Sequence, residues 1–135
     1  MFPKKTKHRK IELTNQKPSD KQLDQLVSKI IRLRDKTCVV CGSSQFLQTA
    51  HFITRGNKAV RWDLDNVFLL CSGCHMMRNE SWHKNPNYAV EFVKLFLGEE
   101  RYNNLIMRAR TVRQKIDRWA VELYLKQEFN KYGKV

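Results

Sequence analysis

The chain has 135 residues, 41% of them hydrophobic, enough for one domain with a modest core and requiring no second. Its 26 lysines and arginines face 13 acidic residues, a net charge of +13 that points to a polyanionic partner, nucleic acid first, with a ribosome-associated or membrane-surface role as the competing reading. No apolar run approaches the roughly 20 residues that span a bilayer, and the first residues lack the apolar stretch of a secretory leader, so a cytoplasmic location is expected, where paired cysteines are more often metal ligands than disulfides.

Residues 1–18 carry Lys4, Lys5, Lys7, Arg9, Lys10 and Lys17 with little apolar to fold around, and are expected to form a flexible basic arm that either contacts phosphate or is simply solvated. Residues 19–135 are expected to form a single domain. Ser19 with Gln22 is a capping-box pattern, and Leu23, Leu26, Val27, Ile30, Ile31 and Leu33 follow at helical spacing as a core stripe. Loose alternation over Gln45 to Ile53 predicts a strand, Thr54-Arg55-Gly56-Asn57 a turn, and a second strand is expected within Ala59 to Leu70. Ser72 and Gly73 then open a short helix through Asn79.

From about residue 85 the chain is expected to be helical. Asn85-Pro86 starts a helix that buries Tyr88, Ala89, Phe92, Val93 and Phe96 and stops at Gly98. Another runs through Tyr102, Leu105, Ile106 and Ala109, and the last begins near Asp117, with Trp119, Ala120, Leu123, Tyr124 and Phe129 on its apolar side.

The chemistry concentrates between Cys38 and Asn79. Cys38-Val-Val-Cys41 and Cys71-Ser-Gly-Cys74 are two Cys-x-x-Cys knuckles whose spacing lets four thiolates meet one tetrahedral ion, a structural Zn²⁺. Four cysteines complete that shell and leave the adjacent His75 spare.

At His51, Asn66 and His75 the sequence resembles the HNH, or ββα-metal, endonuclease superfamily: the knuckles bracket the His and the Asn, and the fourth cysteine is followed directly by the second His. Within that group it is similar to the NinG/Rap family of phage recombination proteins. The likeness is carried by Ala50-His51-Phe52-Ile53-Thr54-Arg55-Gly56-Asn57, Val60-Arg61-Trp62, Cys71-Ser-Gly-Cys74 and Asn79, and covers most of residues 30–132.

The resemblance implies an α+β fold, a zinc-stapled ββα-metal core with an N-terminal helix and a C-terminal helical extension. It also implies a metal-dependent DNA endonuclease, with branched recombination intermediates as the candidate substrate. His51 would be the general base, since a neutral imidazole accepts a proton near pH 7. Asn66 would pin the hairpin loop and orient His51. His75 would bind a catalytic Mg²⁺ or Mn²⁺, with Asn79, one helical turn on, adding an oxygen. Arg55, Lys58, Arg61 and Arg78 are candidate DNA contacts, and equally readable as surface charge.

One position departs from the superfamily, in which the residue before the base is often an Asp or His that helps hold the ion; here it is Ala50. Either His75 and Asn79 hold the ion with water and DNA oxygens, or a carboxylate such as Asp63 or Asp65 takes part, or His51 is itself a ligand. Two other functions fit the same residues: a nonspecific or nicking HNH endonuclease of a phage packaging or restriction system, and a zinc-ribbon DNA-binding module without catalysis. A homodimer is left open.

Overall fold

The computed structural model describes residues 16–111 and 115–133. The expected basic arm lies outside them up to residue 15. Helix α1 (Asp20–Asp35) starts as the capping box predicts: Ser19 Oγ accepts from the Gln22 amide at 3.1 Å while the Gln22 side chain accepts from the Ser19 amide at 2.9 Å. Leu23, Val27, Ile30 and Ile31 are buried, but Leu33, expected in the same stripe, falls at its margin and is 39% exposed.

Strands β1 (Leu47–His51) and β2 (Val67–Cys71) form an antiparallel pair in the register Leu47–Cys71, Thr49–Leu69, His51–Val67. All five residues of β2 are buried, because the sheet is covered on both faces. Phe68 and Leu70 enter one core with Trp82, Ala89, Val93 and Leu105, while Val67 and Leu69 enter a second with the α1 stripe and Leu125. The end of α1 occupies the outer edge of β2: the Asp35 carboxylate accepts from the Leu69 amide at 3.0 Å, Arg34 donates to the Val67 carbonyl at 2.8 Å, and the Val39 amide donates to the Leu69 carbonyl at 3.0 Å. Among the described residues β1 has no strand on its other side, and its Thr49 and His51 line the cleft described below.

After β2 the chain makes a single π-helical turn, Gly73–Met77. The expected helix through Asn79 is therefore too long: Arg78 is extended, with its amide bonded back to the Gly73 carbonyl. Helix α2 (Pro86–Leu97) is capped by Asn85, whose side chain accepts from the Tyr88 amide. It ends at Gly98, whose φ of 85° falls where an L side chain is strained. Helix α3 (Glu99–Arg110) follows directly and packs on α2. Of the residues expected on the inner side of α2, Ala89 and Val93 are buried, whereas Phe96 is 44% exposed and Leu97 is buried instead.

Helix α4 (Arg118–Gly133) packs along α1. It buries Leu125, with Val121, Phe129 and Tyr132 beside it; of the expected inner face only Phe129 meets the core, whereas Trp119, Ala120, Leu123 and Tyr124 are exposed. Both sides of this helix carry apolar residues, and it is the contact with α1 that chooses between them. No described helix is long and apolar enough to cross a membrane.

Candidate active site and metal centre

The two knuckles bring Cys38, Cys41, Cys71 and Cys74 together, with all four sulfurs within 4.8 Å of one another. A Zn²⁺ bound at about 2.3 Å to four thiolates requires sulfurs roughly 3.8 Å apart, and Cys41 and Cys71 are separated by 3.6 Å. Within each knuckle the last cysteine's amide points at the first sulfur, Cys41 to Cys38 and Cys74 to Cys71, both at 3.5 Å. Burial, then bonds from the other sulfurs, push the Cys74 thiol above its ordinary value. Ionised thiolates at this spacing need a cation among them. The site thus has the donors and geometry to hold a structural metal such as zinc. Arg78 lies exposed beside it and donates to Cys74 Sγ at 3.5 Å.

His51 closes β1. Its Nε2 lies 2.9 Å from the Arg61 carbonyl, which can only accept, so Nε2 carries the hydrogen and Nδ1 keeps the lone pair of the neutral ring. Burial lowers the pKa of His51; the bond to Arg61 and the charge of Asp24 oppose that shift without cancelling it. The ring is therefore neutral at pH 7 and able to accept a proton at Nδ1.

The Arg61 carbonyl is itself held from two directions. Fully buried Asn66 accepts from the Ile53 amide at 2.6 Å and donates to the Ile53 and Val60 carbonyls, both at 3.0 Å. These bonds pin the loop between the strands, the geometry expected of this asparagine. From α1, Asp24 accepts from Arg61 at 3.0 and 2.6 Å and from the Trp62 indole at 2.8 Å. Arg61, expected to grip phosphate, is instead consumed by this ion pair and lies against the Trp62 ring. Arg55 and Lys58 remain largely exposed, 3.6 Å from Asp24 and 3.5 Å from Asp20 respectively.

His75 stands on the π-turn. Its Nδ1 donates to Gln48 Oε1 at 2.6 Å, leaving Nε2 as the free nitrogen. Burial, then the neighbouring His83 and His51, lower its pKa, so it too is a neutral donor at pH 7. Asn79 does not share its face, because the turn ends at Met77, and that removes the geometric premise for pairing the two. Ala50 points into the core and is 1% exposed. Asp63 and Asp65, considered as substitutes for the missing ligand, pair with Arg108 and Arg101 at 2.6 Å each and line a different cleft.

His51, His75 and His83 line one cleft of about 1050 Å³, floored by β1 and walled by α1 (Lys21, Asp24) and α2 (Pro86, Ala89). Sequence reasoning missed Asp24, Gln48 and His83, whose signals are pairings distant along the chain or reached through a loop. The family model described as the bacteriophage lambda NinG protein matches residues 3–132. No curated protein matches the chain, and no solved structure does.

Proposed function

Because the chain belongs to the family of the bacteriophage lambda NinG protein, we propose that it is a metal-dependent DNA endonuclease of the HNH type, acting on branched recombination intermediates. The observation that carries this reading is the state of His51: Nε2–H fixed on the Arg61 carbonyl, Nδ1 unprotonated, and the ring facing a cleft shared with His75. The strands, the π-turn and the sulfur cluster support a ββα-metal core.

In this reading His51 Nδ1 takes the proton of a water attacking the phosphorus. Asn66 and the Asp24–Arg61 pair keep the carbonyl that orients the ring in place. His75 would hold a divalent ion through Nε2, with its ring fixed by Gln48, and that ion would supply charge stabilisation to the phosphate and the departing oxygen. The superfamily chemistry leaves a 5′-phosphate and a 3′-hydroxyl. Arg55, Lys58 and the basic arm are the remaining candidates for phosphate contact, with binding that weakens steeply as salt rises.

The test is cleavage of supercoiled plasmid, linear duplex and a four-way junction with Mg²⁺ or Mn²⁺. His51→Ala should retain zinc and DNA binding while losing about 10²-fold or more in rate, without rescue by added metal. His75→Ala should lose cleavage and recover part of it at high Mn²⁺. Rescue of His51→Ala by metal would reverse the two roles. A wild-type chain that binds DNA but cuts none of the substrates would be a binding module. Equal cutting of junction and linear duplex would make it a nonspecific nuclease.

A further inference from the structure

His83 has no part in the reaction outlined above. Its ring nevertheless stands edge-on to His75, with centroids 4.8 Å apart and planes at 80°. Two backbone bonds fix this placement: the Trp82 amide donates to the Cys74 carbonyl at 2.9 Å and the His83 amide to the His75 carbonyl at 3.1 Å. Trp82, 6% exposed, anchors the returning chain in the core against Phe68 and Phe52. The His83 ring makes no hydrogen bond among the described residues and opens onto the same cleft as His51 and His75.

We propose that His75 and His83 together bind one divalent ion, and that the pair selects a borderline transition metal (Co²⁺, Ni²⁺ or Zn²⁺) over Mg²⁺. The proposal rests on the reading of His75 as a metal ligand and replaces Asn79 by His83 as its partner.

The geometry suits it. Two imidazoles bound to one ion at about 2.0–2.1 Å, at ligand angles of about 90–110°, have ring centres roughly 4.6–5.3 Å apart. The observed 4.8 Å lies within that range. Gln48 orients one ring through Nδ1, as outer-sphere partners of metal-bound histidines do, and the backbone pairing carries the other into place.

The donor chemistry then sets the ion. Asp24 is the one carboxylate among the residues lining this cleft, and its oxygens are taken by Arg61 and Trp62. A pair of neutral nitrogens with no carboxylate is a poor match for Mg²⁺, which calls for oxygen ligands. Imidazole donors favour the later first-row metals, with affinity rising from Mn²⁺ towards Ni²⁺. Water and phosphate oxygens would complete the coordination. The ligand that Ala50 cannot provide from β1 comes, in this arrangement, from the other wall of the cleft.

Calorimetric titration of the zinc-loaded full chain with Ni²⁺, and separately with Mg²⁺, tests this without reference to cleavage. One Ni²⁺ site beyond the zinc is expected, with Mg²⁺ binding far weaker. His83→Ala and His75→Ala should each weaken Ni²⁺ by about tenfold or more at unchanged zinc content, whereas His51→Ala should bind as wild type. Overturning results are a His83→Ala chain that binds Ni²⁺ like the wild type, a loss seen in His51→Ala instead, or no Ni²⁺ site at all. If the site fails while plasmid is still cut in a His51-dependent way, the nuclease reading survives this proposal. If the site is found and no DNA is cut, the metal pair stands and the nuclease reading falls.

Discussion

Removing the Asp24 carboxylate with Asp24→Ala tests how the loop that carries the Arg61 carbonyl is held. Two donors lose their partner. The Trp62 indole, in a side chain only 5% exposed, was bonded at 2.8 Å, and an orphaned buried donor costs about 1–3 kcal/mol. The Arg61 fork has side-chain exposures of 14% and 23% for its two members, and Asp20 remains 3.4 Å away as a second anion. Its loss is therefore discounted to about 1–2 kcal/mol from the larger cost of breaking a fully buried pair. Together the variant should lose about 3 kcal/mol, read as a lower urea midpoint at unchanged slope for the zinc-loaded chain. Burial acts to raise the Asp24 carboxyl, but the bonds from Arg61 and Trp62 outweigh it and hold the group below its usual value of 3.8. A depressed folded pKa gives stability that is fully present above the unfolded value and lost as pH falls through the folded one. The gap between wild type and variant should accordingly be the same at pH 7 and pH 5. A loss below about 0.5 kcal/mol, or a gap that closes across that interval, would refute the reasoning.

Cys74→Ala, or chelation of the metal, should unfold the strand-and-turn unit, since structural zinc contributes roughly 10 kcal/mol or more to the folding of small zinc modules; circular dichroism melts and zinc analysis read this, and a variant melting like wild type would exclude a structural ion. Asn66→Asp removes the donors to two carbonyls and puts an acid in a fully buried position, so a loss of about 3 kcal/mol in urea unfolding is expected, with a drop under about 0.5 kcal/mol as the contrary result. His51 is held below its ordinary 6.5 by burial, so kcat/KM should stay level as pH falls to that value and decline only beneath it. The same shift gives stability present above 6.5 and lost as pH drops through the folded value; an acidic limb at or above pH 7 would rule out His51 as the base.

What was legible in the sequence is what local chemistry dictates. The Ser19–Gln22 cap, the Asn85-Pro86 start, the Gly98 stop, the start of the last helix near Asp117 and the two knuckles each depend on residues a few positions apart. The outward face of α4 was misread because its amphipathicity is weak and α1, distant in sequence, decides which side is covered. Arg61 looked like a free cation because its partners lie on α1, and Asp63 and Asp65 looked available because Arg101 and Arg108 belong to α3. Asn79 was placed by continuing a helix that the Arg78 amide closes onto Gly73. His83 was overlooked for the complementary reason: a return of the chain after that closure, invisible to periodicity, brings it beside His75.

The π-turn joins two sites through one stretch of backbone. Cys74 belongs to the sulfur cluster and His75 to the cleft, and the carbonyls of both accept the amides of Trp82 and His83. A metal held by the sulfurs would order the turn, so whatever binds the cleft histidines would meet a lower ordering cost with zinc in place. The coupling is reciprocal: a ligand in the cleft must tighten the hold on zinc by the same factor. A chain with a ligand in the cleft should therefore surrender zinc to a chelator more slowly than a free one.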